Sequence, residues 1–389
     1  MRDERKPHLA RWGGVMKKAY LIFLFGVVII SVGVVLFAVG VKNNLSLDKN
    51  LMVSKIFQVN EGGPEQELHP LAIESLRQRE YPGSNLVLEQ VLKIGSNYGR
   101  YIVSYKSDGL KIFGLLTIPN GEQPEEGWPA IIFNHGYIPP NQYVTTQRYE
   151  DYVNGFAKSG YVVFKPDYRG HGNSEGEATG NYFSPGYTVD VANAVSSIKR
   201  LKNLSTGPST TSHSTVSSDR TGSGSIVNAD RIGMWGHSMG GNITMRNLVI
   251  SDDIKAAVIW AGVVGSYEDI LNNWSRARQW SQSAEYRHQT PNRQNFLEEF
   301  GAYEENLEFW NSIDPYTFLE DVQAPIQLHH GTGDEHVPLA FSEGFKKALE
   351  QKSKSVELYT YDGADHNLTG AAFDQAMARS IAFFDKYLK

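Results

Sequence analysis

Residues 231–241 read Arg231-Ile232-Gly233-Met234-Trp235-Gly236-His237-Ser238-Met239-Gly240-Gly241. A short apolar run ends in Gly-x-Ser-x-Gly, and the residues that follow, 242–248, are helix-forming. Strand, tight turn and helix in that order is the setting in which a serine is pushed out of the backbone toward a site. The glycines have a steric reason, because side chains at 236 and 240 would run into neighbouring backbone. A serine hydroxyl is a weak nucleophile until a base removes its proton. The base in turn needs an acid to hold its tautomer and balance the imidazolium that forms. Ser238 therefore calls for two partners elsewhere in the chain.

Outward from the elbow, short apolar runs at 130–134, 161–166, 231–236, 256–261, 326–330 and 356–361 have the length and composition of strands buried on both faces. The stretches 144–159, 187–201 and 239–250 between them are long enough for crossover helices. Alternation of this kind predicts an α/β fold, a mostly parallel central sheet with helices on both faces. Upstream, 86–94, 100–105 and 110–118 read as an antiparallel meander, broken at 95–99 and at Asp108-Gly109. Two stretches interrupt the alternation. Residues 205–228 are Ser/Thr/Gly-rich and read as a surface loop, whereas 266–319 carry aromatics at helical spacing and predict a helical cap insertion.

Candidate partners for Ser238 sit just after two of the buried runs, where ligands of such sheets bind. Asp334 follows the run 326–330, and His366 follows 356–361. Several neighbours are weaker candidates. His336 is too near Asp334 in sequence, Asp365 adjoins His366 and would point elsewhere, and Glu335 reads as solvated. His171 and His237 read as hydrogen-bonded packing. An oxyanion hole needs two donors. The backbone N–H of Met239 supplies one, and Asn134-His135-Gly136-Tyr137 offers the second through the Tyr137 N–H or its phenol.

With these residues in place, the sequence resembles the α/β-hydrolases, whose chain order is Ser, then Asp or Glu, then His. Within them it resembles the catalytic domain of the prolyl oligopeptidase group, peptidase family S9. The matching stretches are 107–116, Asn134 to Tyr137, Asp167 to Gly176, the Ser238 elbow and the Asp334 and His366 segments, together covering 86–389. The resemblance implies a serine hydrolase that needs no cofactor or metal, with Asp167 to Gly176 a structural turn. It also implies a β-propeller ahead of the catalytic domain. The forty-odd residues at 42–85 cannot encode at least four four-stranded blades, so peptidase specificity does not carry over. A cap is what many esterases use instead. The expected substrate is a small-molecule ester or a short peptide. The expectation from a different class is a catalytically silent surface-binding protein on the same fold.

Composition bounds the rest. The chain has 389 residues, 41% hydrophobic, with no cysteine, which removes disulfides, thiolate metal sites and cysteine nucleophiles. A net charge of −6 argues against a nucleic-acid partner. The charge is uneven: residues 1–18 carry +4, while 19–41 run 23 residues without a charged side chain. At about 1.5 Å per residue that run spans a hydrocarbon core of roughly 30 Å. The expected organisation is thus a basic cytoplasmic tail at 1–18, a transmembrane anchor at 19–41, a spacer at 42–85 with one short helix near 71–79, and an extracytoplasmic catalytic domain at 86–389. A cleaved signal peptide ending near Ala38 and Gly40 is the competing reading, disfavoured by the length of the run.

Overall fold

A computed structural model describes residues 68–179, 182–202, 204–206, 225–274 and 293–389. The expected tail and anchor, most of the 205–228 loop and residues 275–292 of the expected cap lie outside the described residues. Among the described residues no helix is long and apolar enough to cross a membrane.

The order of elements is α1 (Ile73–Gln78), β1 (Val87–Val91), β2 (Tyr98–Ser107), β3 (Leu110–Pro119), β4 (Trp128–Asn134), α2 (Glu150–Lys158), β5 (Val162–Pro166), α3 (Gly186–Ile198), β6 (Ser205–Thr206), β7 (Val227–His237), α4 (Met239–Ile250) and β8 (Ala256–Trp260). It continues with α5 (Arg293–Phe300), α6 (Leu307–Ile313), β9 (Ile326–Gly331), α7 (Leu339–Gln351), β10 (Val356–Tyr361) and α8 (Ala371–Leu388). The strands form one sheet in the order β10-β9-β8-β7-β4-β5-β3-β2-β1-β6. From β10 to β5 every pairing is parallel, while β5/β3, β3/β2 and β2/β1 are antiparallel. Each apolar run identified in the sequence is one of these strands.

Alternating side chains of the central strands feed two cores, one on each face. Ile132, Phe164, Met234, Ile259 and Leu328 pack with α3, α4 and α7 residues such as Val195, Ile243 and Phe345. Phe133, Val163, Trp235, Val258 and Trp260 face Phe156 of α2 and Phe384 of α8. A period of two therefore places both sets inside, which is why 130–133, 232–235 and 256–260 run without a polar side chain.

The structure differs from the sequence-based expectation at the N-terminal boundary. The compact unit begins at Leu68, and Leu71, Ala72, Ile73 and Leu76 are at most 1% exposed. The segment looked like spacer because its Gly and Pro residues make turns that dock. The Gly83 N–H donates to Asn193 Oδ1 of α3 at 2.8 Å, and a Cβ there would lie 2.6 Å from the Asn193 carbonyl oxygen. Helix α2 also starts at Glu150, later than the expected 144, because Arg148 and Tyr149 both have positive φ.

Candidate active site

Strand β7 ends at His237 and α4 begins at Met239, so Ser238 alone makes the turn, with φ 56° and ψ −121°. A non-glycine residue there costs about 1–3 kcal/mol, which the surroundings must hold in place. They do so through the backbone. The Ser238 N–H donates to the Trp260 carbonyl at 3.1 Å, and the Ser238 carbonyl accepts from Gly241 and Val263 at 2.9 Å each. The glycines are required as the sequence implied. A Cβ on Gly240 would sit 2.0 Å from the Asn134 carbonyl oxygen, and one on Gly236 would sit 2.4 Å from the Gly240 carbonyl oxygen. Met239 N–H belongs to the first turn of α4, whose donors point out of the helix and carry its positive dipole end.

Two adjacent strand ends bring Asp334 and His366 together. β9 and β10 pair in parallel up to Gly331 and Tyr361, and the following turns interlock. Gly333 N–H donates to the Ala364 carbonyl at 3.0 Å, and Gly363 N–H donates to Thr332 Oγ1 at 2.8 Å. Only glycine fits at 331, where a Cβ would lie 2.1 Å from the Ala364 carbonyl oxygen. The result is His366 Nδ1 at 2.8 Å from Asp334 Oδ2. With the Nδ1 proton directed to the carboxylate, the His366 Nε2 lone pair is left for another donor.

Asp334 is tightly held, with a side chain 1% exposed. Its Oδ1 accepts the N–H groups of His336 at 2.7 Å and Val337 at 3.0 Å. Burial disfavours its charge, yet hydrogen bonds from His330 and His366, the nearby His366 charge and the Val337 N–H win, holding the carboxyl well below the ordinary range. His330 is the residue the sequence reading missed. Its ring is fully buried, with Nε2 at 3.0 Å from the Val337 carbonyl and 3.2 Å from Asp334 Oδ2. Its Nδ1 lies 2.7 Å from Ser342 Oγ. The signal was its place, four residues before Asp334 at the end of a buried strand.

The other candidates are placed as follows. Asp365 points away, its Oδ1 capping the Thr369 N–H at 2.8 Å. His336 stands beside the site, its ring centroid 4.9 Å from that of His366, and its carbonyl accepts from Trp274 Nε1 of the insertion at 2.8 Å. The loop carrying Tyr137 follows β4 and lies against the elbow, since a Cβ on Gly136 would be 3.0 Å from Ser238 Cβ. The Gly136 N–H is already committed to the Tyr149 hydroxyl at 2.9 Å. Beneath that loop the Asp167 turn is structural. Asp167 accepts from Tyr143 at 2.7 Å and Thr145 at 2.5 Å, and burial pushes it up to about 6 despite Lys165. Tyr168 stacks on His135 at 4.2 Å.

Comparison with known proteins bears on the fold that carries these residues. The model of the prolyl oligopeptidase family, peptidase S9, matches residues 218–389. That of the X-Pro dipeptidyl-peptidase family, S15, matches 108–274. Both spans contain Ser238. The chain is 24% identical over 271 residues, 68% of its own length and 85% of the other's, to the uncharacterized peptidase YtmA of Bacillus subtilis. Among solved structures it resembles the acylaminoacyl peptidase of Pyrococcus horikoshii, with a TM-score of 0.53, 22% identity, and 76% and 43% of the two chains covered. It resembles the acetyl xylan esterase of Paenibacillus sp. R4 with a TM-score of 0.52, 19% identity, and 81% and 92% covered. The chain thus spans less than half the length of the peptidase structure and nearly all of the esterase.

Proposed function

We propose that this chain, an α/β-hydrolase with an S9-like catalytic domain and a serine hydrolase, acts through Ser238, His366 and Asp334. The observation that carries the reading is the 2.8 Å contact from His366 Nδ1 to Asp334 beside the strained Ser238 elbow. Ser238 Oγ attacks an acyl carbonyl while His366 Nε2 takes its proton. The Met239 N–H and the Tyr137 N–H receive the developing oxyanion. His366 then gives the proton to the leaving alcohol or amine, and water attacks the acyl-enzyme by the same route in reverse. Asp334 stays ionised throughout, holding the His366 tautomer and stabilising its charged form.

The substrate class is a small ester or a short peptide, with esters first. The esterase structure is matched along nearly its whole length and the solved acylaminoacyl peptidases over less than half of theirs, while the peptidase YtmA, covered to 85%, keeps a short peptide in the class. Residues 19–41 anchor the domain in a membrane, with 1–18 cytoplasmic and the domain outside, on the strength of the uncharged run and its basic flank. The test is turnover of p-nitrophenyl acetate against an alanyl-prolyl naphthylamide by wild type and Ser238→Ala. Wild-type hydrolysis of the ester that disappears in Ser238→Ala supports the reading. A folded wild type that turns over neither substrate moves the weight to a silent binding protein.

A further inference from the structure

We infer that Tyr149 and His237 form a positioning relay that ties the oxyanion loop to the backbone of His366. The inference rests on the serine hydrolase reading above and adds two residues to it, neither of which touches substrate.

The relay has fixed ends. At one end the Gly136 N–H, which can only donate, meets the Tyr149 hydroxyl oxygen at 2.9 Å. At the other, the His366 carbonyl, which can only accept, meets His237 Nε2 at 2.9 Å. Between them Tyr149 Oη lies 2.7 Å from His237 Nδ1. Fixed ends leave one arrangement of protons. The His366 carbonyl requires a proton on His237 Nε2, so a neutral His237 accepts at Nδ1, and the Tyr149 O–H donates to Nδ1 while its oxygen accepts from the Gly136 N–H. Neutrality follows from the surroundings: burial, then the nearby His366, pushes His237 down to about 3.

The local backbone is shaped for this contact. Arg148 and Tyr149 have φ of 58° and 56°, two consecutive side-chain-bearing residues in the left-handed region. Such strain persists where surrounding contacts over-determine it. The turn delivers the Tyr149 phenol under the oxyanion loop, where its ring packs edge-on against Phe133 and Trp235. A Cβ on Gly136 would meet Tyr149 Oη at 2.7 Å, Ser238 Cβ at 3.0 Å and His237 Nδ1 at 3.2 Å, so the relay and the elbow both close in on the same point of the loop. Two consequences follow. The Gly136 N–H is spent on the phenol and is therefore not an oxyanion donor. The separation between that loop and His366 is set by the relay instead of by either loop alone.

The experiment measures steady-state hydrolysis of p-nitrophenyl acetate by wild type, Tyr149→Phe, His237→Leu, the double variant and Ser238→Ala, with thermal unfolding of each. Each single relay variant should lower kcat by about 10- to 100-fold with KM within about two-fold, and the double should fall no more than about three-fold below the worse single. Singles with wild-type kcat, or a double whose loss is the product of the two, would overturn the relay. Should His237→Leu not fold, Tyr149→Phe keeps the ring and decides alone: unchanged kcat overturns the proposal, and lowered kcat at constant KM supports it. Activity retained by Ser238→Ala would instead bring down the serine reading and the relay with it. An inactive Ser238→Ala beside fully active relay variants removes only the relay.

Discussion

The carboxyl ends of β7, β9 and β10 and the insertion between β8 and β9 each bury a carboxylate, and the two carboxylates behave oppositely. Asp334, at the sheet edge, is surrounded by two imidazoles and two backbone N–H groups and is held well below the ordinary range in spite of burial. Asp314, in the insertion, accepts the Tyr267 and Tyr316 N–H groups among the described residues, and burial pushes it up to about 6 despite these and the Arg246 charge. Burial alone does not decide ionisation; what decides is whether the site brings its own compensating donors. The edge is built to keep a charge, whereas the insertion is built to pack. Its described part encloses Tyr267, Phe296, Trp310 and Ile313 together with Leu71 and Ala72 from the N-terminal side.

The contrast can be broken most severely at Asp334. Asp334→Asn presents an amide to His366 Nδ1 and favours the wrong tautomer, so kcat should fall by about 10⁴-fold, the size of that effect in other triads, with little change in fold. Rates within ten-fold of wild type in a stopped assay would show that the carboxylate is not needed. Removing a packing residue should do the reverse. Leu71→Ala, at a fully buried position, should cost about 2–5 kcal/mol in denaturant unfolding while leaving kcat within about two-fold. A large kcat loss there would erase the distinction between the two regions. His330→Leu lies between them, removing one donor to Asp334 without touching the His366 contact. An effect on kcat of about ten-fold sharpens the comparison, and none at all would show that the other donors suffice.

The smallest effect is in pH. Asp314 has a folded pKa raised above its unfolded value, so its contribution to stability is present below about pH 4 and lost as pH rises through about 6. Asp334 has the opposite sign: its contribution is present above about pH 4 and lost on acidification. Asp314→Asn should therefore flatten the fall in Tm between pH 4 and pH 7 by a few degrees, corresponding to about 1–3 kcal/mol. An unchanged slope would show that Asp314 is not what titrates in that window.

The edge was legible in the sequence because each of its requirements is local. Gly236, Gly240 and Gly331 stand where a single Cβ would strike backbone, and the strands that lead to Ser238, Asp334 and His366 are short runs rich in apolar residues. The insertion was legible only as helical and aromatic. Its core is completed by residues 68–76, far away in sequence; the short helix there was legible near 71–79 and is found at Ile73–Gln78, but its Gly and Pro neighbours hid that it docks. Tyr149 and His330 were missed for a related reason: their partners lie across the sheet or after a turn, and no periodicity records a hydrogen bond of that kind. His237 read as hydrogen-bonded packing, and both its bonds are there.

The most direct test of the central claim is fluorophosphonate labelling of wild type and Ser238→Ala, with peptide mapping of the adduct. A single adduct on Ser238, absent from the variant, is expected. An adduct on another serine, or equal labelling of a folded Ser238→Ala protein, would contradict it.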